Sequence, residues 1–230
     1  MDSNANRYFG VYNLNDSSAT RLPANNWIVV LVWNRNIVAL PVLSDGSEDA
    51  TRAPVMLTNF PAGGALSADW PLIAADGTEV TFSDYHGSPD DIQPDRGDVY
   101  VLKNVQDIIA GTVTPPTGAP DPSLVAIRTD EPGSSSFAHT PFFSEDKSLV
   151  FYTEDFNNTF INNKYFQTIG AAQFDVMISS ADGSGADYQL SEPGNQFGAA
   201  PTPGGTRLVY NSDVSNIPHI YAATLDVKTT

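Results

Sequence analysis

The sequence predicts an all-β protein assembled from repeated four-stranded antiparallel units. Three observations carry this prediction. Gly and Pro number 17 each in 230 residues, and they cluster with Asp, Asn and Ser, as turn residues do between many short strands. Between the clusters, apolar and polar residues alternate with the period of a half-buried strand. One pattern also recurs: a small or Pro-containing lead, a polar turn, and a strand closing on an aromatic. It reads "WPLIAADGTEVTFSD" at Trp70–Asp84, "TPFFSEDKSLVFYTED" at Thr140–Asp155 and "AAPTPGGTRLVYNSD" at Ala199–Asp213.

Taken in order, "YFGVYNLNDSSATRLP", Tyr8 to Pro23, reads as the third and fourth strands of a unit. "WIVVLVW", Trp27 to Trp33, is a β-branched run flanked by Asn and reads as a buried strand; it is too short to cross a bilayer as a helix. Asn36 to Asn59 repeats the third-and-fourth-strand pattern. Each copy that follows is a hairpin about a two-residue turn, at Asp76-Gly77, Asp146-Lys147 and Gly204-Gly205, with the strand closing on Phe82, Phe151 or Tyr210. Third strands come next, as "GDVYVLKN", "FDVMISSADGSG" and "PHIYAATLD", and "DIIAG" before the next fourth strand predicts one helical turn.

The closing aromatics recur about 60 to 70 residues apart. A four-stranded propeller blade takes ~40–50 residues, so these units carry insertions. The pattern of "FSEDKSLVFYT", "DVMISSADGSG" and "HIYAATLD" resembles the TolB-like propeller repeat. Ala74-Ala75 stands where that repeat has Ser-Pro, and Gly204-Gly205 where it has Asp-Gly. The resemblance implies a β-propeller of four-stranded antiparallel blades, with six in the family. This chain tiles as a single domain over 1–230: a partial blade 1–23, blades 24–62, 66–130 and 137–192, and a partial blade 197–230. Four to six blades, in an incompletely closed ring or a fragment of a longer chain, is the expectation. The alternative is a β-sandwich or a stack of hairpins.

Composition excludes several function classes. With 11 Lys and Arg against 27 Asp and Glu, the formal net charge is −16, which repels nucleic acid and anionic lipid. The absence of cysteine removes disulfides, thiolate metal sites and cysteine nucleophiles. No Gly-x-Ser-x-Gly elbow and no phosphate loop occurs. "MDSNANRYFG" has neither a basic n-region nor an apolar h-region and does not read as a signal peptide, and the TolB-like resemblance implies a periplasmic or extracellular setting.

Candidate site residues lie in two insertions between second and third strands, which a propeller places on one face. "SDYHGSPDDIQPDRGD" holds Asp84, Asp90, Asp91, Asp95 and Asp98, which read first as a solvated acidic loop with no cofactor; as hard oxygen donors for Ca²⁺ they form the weaker reading. Tyr85 and His86 share that insertion, and the second one offers Phe156, Asn157, Phe160, Tyr165 and Phe166. Aromatic faces beside amides suit a protein or glycan partner. The same residues folded over their own cluster is the bland reading. His86, His139 and His219 are the three histidines, and a metal site formed from them is a weaker reading than a structural role.

The expected function is therefore a non-enzymatic binding or scaffolding propeller that presents its insertions to a protein or glycan. Two alternatives stand beside it. One is a glycan-active hydrolase with channel carboxylates, for which Asp69 is the best-placed acid. The other is a structural subunit of an extracellular assembly, self-assembling or completed by another chain.

Overall fold

The structure is a computed structural model that describes residues 27–43, 47–86, 96–129, 136–156, 174–185, 187–190, 192–215 and 217–225. The half-unit Tyr8–Pro23 lies outside them. The described residues form β1 (Trp27–Trp33), β2 (Asn36–Val42), β3 (Val55–Met56), β4 (Ala68–Ile73), β5 (Val80–His86), β6 (Arg96–Leu102), α1 (Val105–Ile109), β7 (Leu124–Arg128), β8 (Phe137–Phe143), β9 (Leu149–Asp155), β10 (Phe174–Ser180), β11 (Tyr188–Gln189), β12 (Gln196–Pro201), β13 (Arg207–Ser212) and β14 (His219–Thr224). The single helical turn falls where "DIIAG" predicts it.

Two compact units result. The first takes the chain up to Asp84 together with Tyr100–Val125, and the second takes Tyr85–Val99 and the chain from Ala126 onward.

In the first unit, β1 and β2 form a tight hairpin, Trp33 opposite Asn36, whose two turn residues Asn34 and Arg35 both have positive φ (49° and 66°). Asn36 is 6% exposed and staples the next segment to this hairpin. Its amide donates to Phe60 O at 3.2 Å, and its carbonyl accepts from Thr58 Oγ1 at 3.0 Å and Phe60 N at 2.5 Å. The core joins Val30, Ile37 and Ala39 to Ile73, Val80, Phe82, Tyr100 and Leu102, with Val105 and Ile108 of α1 packed in. Phe82 stacks on Tyr100 with centroids 5.6 Å apart. Not every side chain of β1 is buried as its composition predicts: Val30 is, but Leu31 and Val32 are half-buried and Trp33 is 50% exposed. Among the described residues β1 ends the β1-β2-β3 order.

In the second unit, β8-β9-β10-β11 pair in chain order, and β12-β13-β14 form a further sheet. Their facing surfaces share a core of Phe151, Val176, Ala199, Leu208 and Tyr210.

Two local devices repeat. The first is a bulge in the leading strand of each hairpin. Register shifts between Asp69 and Leu72, His139 and Phe142, and Phe197 and Ala200. At those points Trp70, Thr140 and Gly198 take φ of 48°, 50° and 63°. Pro71 and Pro141 follow directly, at a bulge, where a strand tolerates the loss of an N–H donor.

The second device is the turn, and it is wider than the two-residue connection the sequence suggests. Ala74 N donates to Glu79 O and Gly77 N to Ala74 O, both at 2.9 Å; Ser144, Lys147 and Leu149 repeat this pattern, as do Thr202, Gly205 and Arg207. Asp76 and Asp146 close their turns by accepting from Thr78 N and Ser148 N, at 3.1 and 3.0 Å. Counting from those turns aligns Phe82 with Tyr152 and Tyr210, so the repeat aromatic of the middle copy is Tyr152 rather than Phe151. Each of the three faces the two bulge residues of its partner strand.

Within the second unit β6 and β8 touch as a parallel pair at Gly97 and Phe137. A Cβ on Gly97 would lie 2.7 Å from Ala138 O and 2.9 Å from the Phe137 ring. Gly97→Ala is therefore expected to cost about 1–3 kcal/mol by overpacking. Gly118→Ala, which meets nothing within 4 Å, should stay within about 0.5 kcal/mol. Urea denaturation of both variants checks the contrast.

Candidate functional site

The second unit has two distinguishable ends. At one, the Glu145 carboxylate of the β8–β9 turn accepts the Gly204 N–H of the β12–β13 turn. At the other, Phe174 N at the start of β10 donates to Asn195 Oδ1 at 2.9 Å. Asn195 in turn donates through its backbone N to Asp213 Oδ1 and through Nδ2 to Asp213 Oδ2, each at 2.7 Å. Two bonds of this kind to one carboxylate fix the β11–β12 connection against the end of β13. Gln196, fully buried, adds Nε2 donations to Glu192 O and Pro193 O at 2.7 and 3.2 Å, and to Gly194 O. Gly194 has φ 84°, and a Cβ there would lie 2.8 Å from Asp213 Oδ1 and Val214 N. Only glycine fits.

This strapped end carries exposed apolar side chains of the β13–β14 connection and of the start of β14. Val214 and Ile217 in the connection are 44% and 60% exposed, and Ile220 in β14 is 76% exposed. The loop between them has its own bonds: Ser215 Oγ donates to Ile217 O at 3.1 Å, and Val214 N to Ser212 Oγ at 3.3 Å. Aliphatic groups held outward on a hydrogen-bonded base form a surface suited to recognition. β9 ends here too, with Asp155 buried opposite Phe174 and Phe156 half-buried after it.

The structure redistributes the residues singled out in the sequence. Asp84, Tyr85 and His86 belong to β5, and Asp98 to β6, so the first insertion is shorter than its acidic composition suggests. Asp84 is fully buried and accepts the Ser67 N–H; Asp98 is 4% exposed. Neither is a solvated loop oxygen. Asp90, Asp91 and Asp95 lie outside the described residues, as do Asn157, Phe160, Tyr165 and Phe166. Among the described residues no three His, Asp or Glu side chains gather into a metal-holding group.

Asp69 is half-buried and accepts from Trp70 N at 2.9 Å. It pairs with Ser83 while Asp84 pairs with Ala68, so the two carboxylates of this hairpin sit on opposite faces. A carboxylate pair does occur in the second unit, where sequence reading missed it. Glu154 and Asp175 stand directly opposite across β9 and β10. They are 1% and 6% exposed, respectively. Arg128 Nη2 donates to Glu154 Oε1 at 3.1 Å, and Gln189 Nε2 to Asp175 Oδ2 at 2.6 Å. Burial pushes Asp175 above the usual carboxylate range, and the Gln189 bond partly offsets this. Arg128 and Gln189 thus each hold one oxygen of a pair that is buried between β9 and β10 rather than open to solvent.

His139 sits three residues into β8, fully buried. Its ring lies 5.5 Å from that of Phe137 and 6.4 Å from that of Phe174, edge-on to the latter. Thr140 Oγ1 is 3.1 Å from His139 Nδ1 and donates to Thr153 Oγ1 at 3.2 Å, which also accepts from Gly198 N at 3.0 Å. His219 opens β14 beside Tyr221, with ring centroids 6.4 Å apart.

The fold these elements define is a β-propeller. Among solved structures, the chain is similar to a protein assigned as TolB from Agrobacterium tumefaciens, at a TM-score of 0.55 and 15% identity, over 86% of this chain and 55% of that one. TolB from Acinetobacter baumannii superposes at 0.51 with 11% identity, over 90% of this chain and 40% of that chain. A chain of a nidogen/laminin complex gives 0.50 with 13% identity, over 86% and 58%. The chain thus spans about half the length of these structures. No protein-family model and no curated protein matches the sequence. Among the described residues no helix is long and apolar enough to cross a membrane.

Burial lowers the His139 pKa from 6.5 to about 3. The folded state holds a neutral imidazole, so stability is full above pH 6.5 and is lost as pH falls from there toward 3, where the unfolded chain alone takes the proton. The slope approaches about 1.4 kcal/mol per pH unit for one proton. Asp175, shifted upward, contributes the opposite sign in the carboxylate range. Urea melts from pH 7 to 4 should show a shallower decline for His139→Gln than for the parent, even though the variant starts from a lower stability.

Proposed function

We propose that the chain is a non-enzymatic propeller module that docks a protein partner on the strapped end of its second unit. The observation that carries this reading is the trio Val214, Ile217 and Ile220, exposed on the hydrogen-bonded β13–β14 connection and the start of β14. The chain around it carries a formal charge of −16. Aliphatic anchors favour a protein over a glycan, which binds through aromatic stacking faces. The neighbour in the nidogen/laminin structure belongs to a complex between proteins, which supports the reading as an analogy of fold.

Membership of the TolB-like family, a periplasmic or extracellular setting and the division into blades belong to this proposal. In it β4-β5-β6-β7 and β8-β9-β10-β11 are complete blades, while β1-β2-β3 and β12-β13-β14 are partial ones.

The test is a comparative capture. The immobilised parent and an Ile217→Asp/Ile220→Asp double variant are exposed to extract of the source cell. Replacing two apolar anchors by carboxylates is expected to weaken binding by about 2 kcal/mol or more, roughly thirtyfold. At least one protein should be retained by the parent and lost from the variant. Identical retained sets, with both proteins folded by circular dichroism, would sink the reading.

A further inference from the structure

Among the described residues β14 pairs with β13 alone. The bond from Leu225 N to Thr206 O at 2.9 Å fixes the alternation of that ladder. In an antiparallel pair every second residue exchanges both bonds with its partner. His219, Tyr221 and Ala223 therefore turn their N–H and C=O toward β13, and Ile220, Ala222 and Thr224 turn theirs to the open edge. The side chains divide in the same way: Tyr221, Ala223 and Leu225 pack on the core, while Ile220, Ala222 and Thr224 are exposed.

Edge strands are normally guarded by shortness, charge, proline or a bulge. β3 and β11 are two residues long, and β7 carries Arg128. β14 has six residues, in unbroken register with β13. From Val214 to Leu225 there is no Asp, Glu, Lys or Arg, in a chain that holds 27 acidic and 11 basic residues. Pro218 precedes the strand and leaves its edge untouched.

We propose that β14 is a strand-addition site for an extended segment of another polypeptide. That segment has uncharged β-branched residues at its centre and Lys or Arg at its flanks. This rests on the reading that the Ile217 and Ile220 surface docks a protein, and it names how the partner sits. Three outward sets of backbone donors and acceptors supply main-chain bonds, and the exposed faces of Ile220 and Ala222 meet alternate side chains of the incoming strand. Charge selects the occupant. A second copy brings the same acidic surface, whereas basic flanks are drawn to a chain of charge −16.

The probe is a fluorescein-labelled peptide, Lys-Lys-Val-Thr-Val-Thr-Val-Lys, titrated with the full chain by anisotropy. The parent should bind it saturably, and hydrogen exchange should slow at the Ile220, Ala222 and Thr224 amides and little at their neighbours in β14. Ala222→Pro removes an outward N–H that the ladder does not use, so the fold is retained, and affinity should fall about tenfold or more. The same peptide N-methylated at its central residues should lose binding to the parent, which keeps the test decisive if the proline variant misfolds. Absence of binding by the parent, or equal binding by Ala222→Pro and by the methylated peptide, overturns the proposal. Binding lost with Ile217→Asp but not with Ala222→Pro leaves the docking surface standing and removes strand addition. A parent dimer by light scattering that Ala222→Pro dissociates makes the occupant a second copy, and overturns the assignment of a basic foreign strand.

Discussion

The extra residue in each leading strand is the constraint on which the rest of the structure depends. Ala68 and Ile73 are five positions apart, and a regular strand would send them to opposite faces. Both lie in one core, because the bulge between Asp69 and Leu72 adds one residue and restores the parity. The same insertion in β8 and β12 keeps each leading strand apolar toward its neighbours on both sides of the bend. It also gives Phe82, Tyr152 and Tyr210 a double partner. The cost is a non-glycine residue at positive φ in two of the three copies, Trp70 and Thr140, of order 1–3 kcal/mol each. Core burial offsets it.

Much of this was legible in the sequence because its determinants are local. The turn pattern, the alternating runs, the helical turn at Val105–Ile109 and the repeat itself are written in short stretches. What escaped depends on register. Phe151 and Tyr152 are adjacent aromatics, both buried, and alternation alone does not say which one answers to Phe82. The choice follows from the turn length and the bulge, which the Thr-Pro and Trp-Pro pairs hint at without fixing. Asp84 and Asp98 read as loop acids because their neighbourhood is acidic, yet a carboxylate is buried where the fold brings donors to it, and Ser67 N–H is one for Asp84.

The candidate site was legible only in outline. The sequence points to connections between second and third strands as the functional end, and the β13–β14 connection is one of them. It was passed over because it is short. Its signal was compositional: twelve residues without a formal charge, Val214 to Leu225, in a strongly acidic chain. The Glu154–Asp175 pair left no such trace, since its members are separated by an insertion and meet only through strand pairing. Arg128, part-buried, reaches one oxygen of Glu154 from β7.

The division into compact units has a consequence for synthesis. Tyr85–Val99 belongs to the second unit although it interrupts the first, which is completed only by Tyr100–Val125. A nascent chain therefore holds the open first unit until residue 125 has emerged, with Phe82 and Val80 awaiting Tyr100 and Leu102. Long-range closure of this kind slows folding and prolongs the exposure of apolar strands such as Trp27–Trp33. No single cut in the chain separates the two units, so a truncation that isolates either must also rejoin the backbone.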